Sequence, residues 1–187
     1  MSVNTENVDE RNYLRIAAWS AVPLILLVPL VAMRFSDEVN WTVFDFAIAA
    51  VLLIGVGVAF EFVVRNTGST AYRIAFGLAL AAALLLIWIN GAVGIIGDET
   101  NKANLMYAGV LAVGFIGALI AGLRAQGMVI AMFSAAVAQV LVAVIALIGG
   151  MGTAGPIWPL DILGVTGFFT ALWVTSAFLF RRAADVS

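Results

Sequence analysis

Three polar residues near the ends of long apolar segments could carry chemistry in this chain: Asp45, Asn90 and Asp161. A carboxylate inside a bilayer costs about 2.5–3.5 kcal/mol on insertion scales, so it needs a partner, water or a function. Because the three residues share a predicted depth, helix packing could gather them into a cluster that binds a cation or holds a proton. The alternative is that both acids are helix N-terminal charges, which the helix dipole favours.

Two more polar residues extend this candidate site. Glu61 follows Asp45 by about 24 Å along one predicted helix. It also precedes Arg65 by four residues, which predicts a salt bridge, with an inner gate as the alternative. Gln139 lies at mid-depth in a later segment, where we expect a hydrogen bond to a neighbouring helix or, alternatively, a position lining a pathway. Together the five residues form an incomplete column of polar side chains across the predicted membrane. A transporter would need more polar residues than these.

The elements that must position these residues are six long apolar segments. Hydrophobic residues make up 64% of the 187-residue chain and charged residues 11%. A helix of about 20 residues crosses about 30 Å of hydrocarbon. We therefore predict an all-α, polytopic transmembrane helical bundle with six spans. The predicted spans are 13–33, 41–64, 71–96, 105–123, 128–148 and 160–180, flanked by a short N-terminal segment, 1–12, and a tail, 181–187.

Local signals refine these segments. Pro23 and Pro29 predict a kink in the first span, and Asn40 is a plausible N-cap for the second. The string from Gly150 to Gly155 matches the phosphate-binding pattern G-x-G-x-x-G, but no strand precedes it and no helix follows at once. We therefore predict a loop there and no nucleotide site.

The basic residues predict the orientation. With six spans, both termini lie on one side of the membrane, and that side holds seven of the nine Lys and Arg residues. Such a bias places both termini in the cytoplasm. The seven are Arg11, Arg15, Arg65, Arg73, Arg124, Arg181 and Arg182, whereas Arg34 and Lys102 lie opposite, together with acidic residues Asp37, Glu38, Asp98, Glu99 and Asp161.

Composition excludes several classes of function. The chain has no His and no Cys, so His- or Cys-based metal centres, disulfides and thiol or Ser-His catalysis are excluded. We expect no cofactor, no metal and no enzymatic activity. Net charge is −2 and there is no basic run, so nucleic acid is not an expected partner. The lipid bilayer is the expected partner.

Small residues recur at four-residue spacing in three spans, which favours close contact between helices. We interpret these stripes as contacts within the bundle, and a homo-oligomer or a membrane-protein partner is the alternative. The stripes are Gly114, Ala118 and Gly122; Gly55 and Ala59; and Gly77 and Ala81.

Three segments, 40–46, 88–97 and 103–107, resemble those of a family of uncharacterised bacterial membrane proteins with six spans. They read Asn-Trp-Thr-Val-Phe-Asp-Phe, Trp-Ile-Asn-Gly-Ala-Val-Gly-Ile-Ile-Gly and Ala-Asn-Leu-Met-Tyr. The resemblance runs from about residue 15 to residue 182 and implies a bacterial inner (plasma) membrane protein. The family has no assigned activity, so no functional residue carries over.

Two functions fit these observations. The first is a non-catalytic structural or accessory membrane protein, in which the polar residues can be replaced individually at modest cost. The second is a small channel or a cation- or proton-coupled transporter that uses the Asp and Asn cluster.

Overall fold

The computed structural model describes residues 3–35, 39–153 and 157–185. These residues form helices and no strand, as the composition predicts. Five helical segments, including Lys102–Ile120, are long and apolar enough to cross a membrane. The helices are α1 (Val3–Ala32), α2 (Val43–Asn66), α3 (Thr70–Ala92), α4 (Met106–Ile120, after a 3₁₀ turn at Lys102–Leu105), α5 (Ala125–Ile148) and α6 (Leu160–Ala184).

Helix α1 differs most from its predicted span. It begins at Val3, well before the predicted start at residue 13, and it continues through both Pro23 and Pro29. Its apolar part among the described residues is Trp19–Ala32, which is shorter than the other five candidate spans. A sixth crossing therefore stays a prediction. The acidic pair Asp37 and Glu38 lies outside the described residues.

Helix α2 begins with a capping box. The Thr42 hydroxyl accepts a hydrogen bond from the backbone N–H of Asp45. In return, the Asp45 carboxylate accepts from the Thr42 backbone N–H and from its hydroxyl, each at 2.7 Å. The predicted N-cap at Asn40 is therefore wrong. Thr42 takes that place because an acid three residues later completes the reciprocal pair.

Helix α3 ends earlier than predicted. The predicted span reaches residue 96, but the helix stops at Ala92 and a compact loop follows. Gly94 has φ +70°, and a Cβ there would lie 2.4 Å from the carbonyl carbon of Asp98. Only glycine fits such a turn. The hydrophobic stretch of the sequence extends beyond the end of the helix because Ile95 and Ile96, which belong to the loop, are buried.

The chain divides into two compact units. Unit 1 comprises residues up to Gly68 and contains α1 and α2, whereas unit 2 begins at Ser69 and contains α3 to α6. In unit 1, the Trp19 ring packs over Gly57 of α2, at 3.8 Å from the position that a Cβ would occupy. This glycine makes room for the ring.

In unit 2 the helices pack in the order α4, α5, α6, α3. Helices α4 and α5 approach closely where Gly114 faces Ala135 and Gly117 faces Ala131. The predicted helix contact at Gly114 is thus present. The second close approach of α4 to α5 is at Gly117. Gly122 lies beyond the helix, in the turn to α5, with φ +55°.

Unit 2 has two distinct ends. At the loop end, the α3–α4 and α5–α6 loops meet so closely that a Cβ on Gly152 would lie 2.8 Å from the backbone nitrogen of Gly97. The glycine string at 150–155 thus serves loop packing at Gly152, while Gly155 lies outside the described residues. At the turn end, the Tyr72 hydroxyl donates to the Leu123 carbonyl, and its ring packs edge-on against Phe180.

Candidate functional site

Asp45 and Glu61 of unit 1 are both engaged in local bonds. Asp45 completes the capping box with Thr42 described above. Glu61 forms the predicted salt bridge with Arg65, at 2.5 Å, and it also accepts a hydrogen bond from the Trp19 indole. The Trp19 bond is a link to α1 that spacing within α2 could not reveal. Each carboxylate therefore stabilises a helix end or a helix pair.

Asp161 and Asn90 lie at the loop end of unit 2. The Asp161 carboxylate accepts from the backbone N–H of Ile162 at 2.7 Å, within the first turn of α6. The Asn90 amide donates to the Asn104 carbonyl at 3.0 Å. Since α3 ends at Ala92, Asn90 occupies its last turn and is less deep than its predicted position.

The packing of α3 against α6 brings Asn90 and Asp161 to the same level. Ser176 of α6 donates to the Ala75 carbonyl of α3 at 2.9 Å, and Phe180 packs on Tyr72 one turn further. Continuing this antiparallel register towards the loop end places Asn90 at the level of Asp161. Two members of the predicted cluster thus share one end of unit 2, whereas Asp45 belongs to unit 1.

Asn104 organises the loop end, and the candidate residues derived from the sequence did not include it. Its side-chain oxygen accepts from the backbone N–H groups of Ile95 and Ile96, at 3.0 and 2.9 Å. Its side-chain nitrogen donates to the Asp98 carbonyl at 2.6 Å. Asn104 is itself buried. One amide thus satisfies the backbone of a loop that has no ladder or helix of its own.

Asp98 fixes the exposed side of the same loop. Its carboxylate accepts from the Thr100 hydroxyl at 2.6 Å and from the Thr100 backbone N–H at 2.8 Å. These hydrogen bonds stabilise the charged form and hold the pKa of Asp98 below its ordinary value of 3.8. The charged Asp98 carboxylate therefore holds Thr100 in place within this loop.

Gln139 does not make the predicted bond to a neighbouring helix. Its side chain is completely buried, yet neither its oxygen nor its nitrogen has a hydrogen-bond partner among the described residues. Extending the Gly114–Ala135 register places Gln139 beside Val110 on α4. The prediction of an interhelical hydrogen bond is therefore wrong, since the residue at its level on α4 is apolar.

Two residues near Asp161 also escaped the sequence argument. Tyr107 is completely buried in α4, and Thr166 is 8% exposed on α6. The Tyr107 hydroxyl lies near the Thr166 hydroxyl. Neither hydroxyl forms a hydrogen bond of ordinary geometry within the described part of the chain. Tyr and Thr are common in apolar helices, so neither residue stands out in the sequence.

The described residues contain no group of three or more Asp or Glu side chains that could hold a metal ion. The uncharged groups near Asp161 can donate and accept hydrogen bonds but offer a cation few charged ligands.

No family model, curated protein or solved structure compared with this chain matches it.

Proposed function

We propose that the chain is a non-catalytic structural or accessory protein of a bacterial inner membrane, with six spans and both termini in the cytoplasm. The observation that carries this proposal is the local engagement of the candidate acids. Asp45 caps α2, Glu61 pairs with Arg65 and Asp161 accepts from the first turn of α6. Acids that stabilise helix ends are poorly placed to exchange ions along a pathway.

The membrane assignment is supported by the five long apolar helices. The basic residues support the orientation, since seven of nine fall on the predicted cytoplasmic side. The six-span resemblance at segments 40–46, 88–97 and 103–107 supports the bacterial setting. Because the chain has no Cys, single cysteines can report topology directly. We expect cysteines in the 66–70 turn to be labelled only from the cytoplasmic side, and cysteines near residue 100 only from the opposite side.

The second candidate function is a small channel or a cation- or proton-coupled transporter. The observation that favours it is a set of buried polar atoms in unit 2 that have no partner among the described residues, including those of Tyr107, Gln139 and Thr166. These atoms do not extend to the turn end, where the Ser176 and Tyr72 hydroxyls are bonded to backbone carbonyls.

Flux measurements separate the two candidates. The protein would be reconstituted in liposomes, and proton and monovalent-cation flux measured at several pH values beside Asp45→Asn. The accessory function predicts no flux above that of empty liposomes for either protein, with both shown to be folded and inserted. Flux that Asp45→Asn abolishes would establish transport and overturn the proposal.

A further inference from the structure

The loop-end half of unit 2 contains several buried polar atoms with no partner in the part of the chain that the structure describes. They include the Tyr107 hydroxyl, the Thr166 hydroxyl and the side-chain oxygen of Asn90. Leaving a buried donor or acceptor unsatisfied destabilises a protein, and most such groups in native proteins are bonded to protein or to ordered water. Several in one small region therefore need a common explanation.

The helix register brings these atoms together. Continuing the Ser176–Ala75 register places Asn90 at the level of Asp161, and the Tyr107 hydroxyl lies near the Thr166 hydroxyl. Helical side chains lean towards the N-terminus of their own helix, which for α4 is the loop end. We call Asn90, Tyr107, Asp161 and Thr166 the loop-end polar group.

A second set of unpartnered atoms continues from this group into the middle of the unit. Thr170 lies one turn after Thr166 on the same face of α6, and its hydroxyl has no partner. Phe133 of α5 packs on Phe178 of α6, with ring centroids 5.7 Å apart. That register places Gln139 at the level of Trp173, whose buried indole N–H is also unpartnered.

The polar region stops before the turn end. The Ser176 hydroxyl is bonded to the Ala75 carbonyl, and the Tyr72 hydroxyl to the Leu123 carbonyl. Phe180 is completely buried beside Tyr72. Among the described residues, the unpartnered atoms therefore extend from the loop end, where Asp161 is partly exposed, to Trp173.

We infer that unit 2 contains an internal hydration site, in which ordered water bonds the loop-end polar group and continues to Gln139. The partners suit water because they include both donors and acceptors: hydroxyls do both, the Asn90 oxygen accepts and the Trp173 indole donates. A buried water makes about three such bonds. Asp161 supplies the one charge of the group. This inference goes beyond the proposed function and holds whether or not the protein transports ions.

Water-edited solid-state NMR of the full chain in lipid bilayers tests this inference. Magnetisation transferred from water should reach the Gln139 side-chain amide and the Thr166 methyl nearly as fast as it reaches the exposed Thr100. The apolar controls Ala135 and Ala143, buried on the same face of α5, should receive it several-fold more slowly. Transfer to Gln139 and Thr166 as slow as that to Ala135 would overturn the site.

A pair of variants gives a second, independent readout. Thr166→Val removes a hydroxyl that bonds water if the site is hydrated, so the melting temperature should fall and water transfer to Tyr107 should decrease. In a dry interior the same change deletes an unsatisfied group, so an unchanged or higher melting temperature would contradict the inference. Ser176→Ala is the matched control, because it loses a direct bond to Ala75 and should lower the melting temperature without altering water transfer to Tyr107.

Discussion

The two units use their polar residues in opposite ways. In unit 1 the polar groups that matter are charged, partly exposed and bonded to neighbours: Asp45 to Thr42, and Glu61 to Arg65 and Trp19. In unit 2 they are mostly uncharged and buried, and those of Tyr107, Gln139 and Thr166 have no partner among the described residues. A charge is tolerated where a helix end or an ion pair balances it, whereas an uncharged group can enter the interior and bind water there.

The largest loss of stability is expected at Asn104. Its substitution tests whether one uncharged amide of unit 2 contributes more to the free energy of unfolding than a carboxylate of unit 1. Asn104→Ala removes the acceptor for two backbone N–H groups and the donor to the Asp98 carbonyl. We expect destabilisation on the order of 3 kcal/mol, because buried backbone groups lose their partners. Chemical denaturation in detergent measures it.

Asn104→Asp is the matched control. It keeps an acceptor for Ile95 and Ile96 but loses the donor to Asp98, so its stability should fall between wild type and Asn104→Ala. A loss at Asn104→Ala no larger than that of an exposed substitution would show that this amide does not hold the loop.

The next effect tests how tightly unit 2 is packed around its polar interior. Gly117→Ala introduces a Cβ only 2.8 Å from the Cβ of Ala131, so α4 and α5 must separate. We expect a loss of about 1–3 kcal/mol from overpacking. Gly109→Ala on the same helix has nothing within 4 Å and should be neutral or slightly stabilising. Equal effects of the two substitutions would contradict the close α4–α5 contact.

A smaller effect is expected for the charged region of unit 1. Thr42→Ala removes the hydroxyl that accepts from the Asp45 N–H and donates to its carboxylate, at a cost of about 1 kcal/mol. Thr42→Ser should retain most of the stability because it keeps the hydroxyl. Hydrogen exchange at the first turn of α2 would locate the loss. Unchanged exchange in Thr42→Ala would show that the capping box does not stabilise this turn.

The smallest effect concerns Asp98 and follows from the sign of its pKa shift. Hydrogen bonds from Thr100 lower the pKa of Asp98 from 3.8, so its contribution to stability is fully present above that value. It is lost as pH falls through the lower, folded-state pKa. Melting temperatures between about pH 6 and pH 3 should fall less in Asp98→Asn than in wild type. Parallel curves would show that the bonds to Thr100 contribute nothing.

Sequence reasoning succeeded where one residue's neighbours along the chain decide the structure. The ends of α2, α4, α5 and α6 lie within about one turn of the predicted spans, and the Glu61–Arg65 pair follows from helical spacing alone. It failed where distant residues decide. The end of α3 depends on Asn104, twelve residues beyond Ala92, and the Trp19 bond to Glu61 joins two helices.

The candidate site divides in the same way. Its acids were found because a charge in an apolar segment is conspicuous, but their local bonds depend on backbone groups that the sequence does not display. Tyr107 and Thr166 were missed because each is ordinary in a membrane helix, and only packing shows that both hydroxyls are buried without partners. Gln139 was found, but its lack of a hydrogen-bond partner among the described residues was not foreseen.

The central claim is that the carboxylates serve structure and carry no ions. We would test it with the triple variant Asp45→Asn, Glu61→Gln and Asp161→Asn in liposomes, measuring proton and cation flux beside wild type and empty vesicles. The account predicts that all three preparations give the same flux, while the variant unfolds at a lower temperature than wild type. Flux in wild type that exceeds that of empty vesicles and disappears in the variant would contradict it.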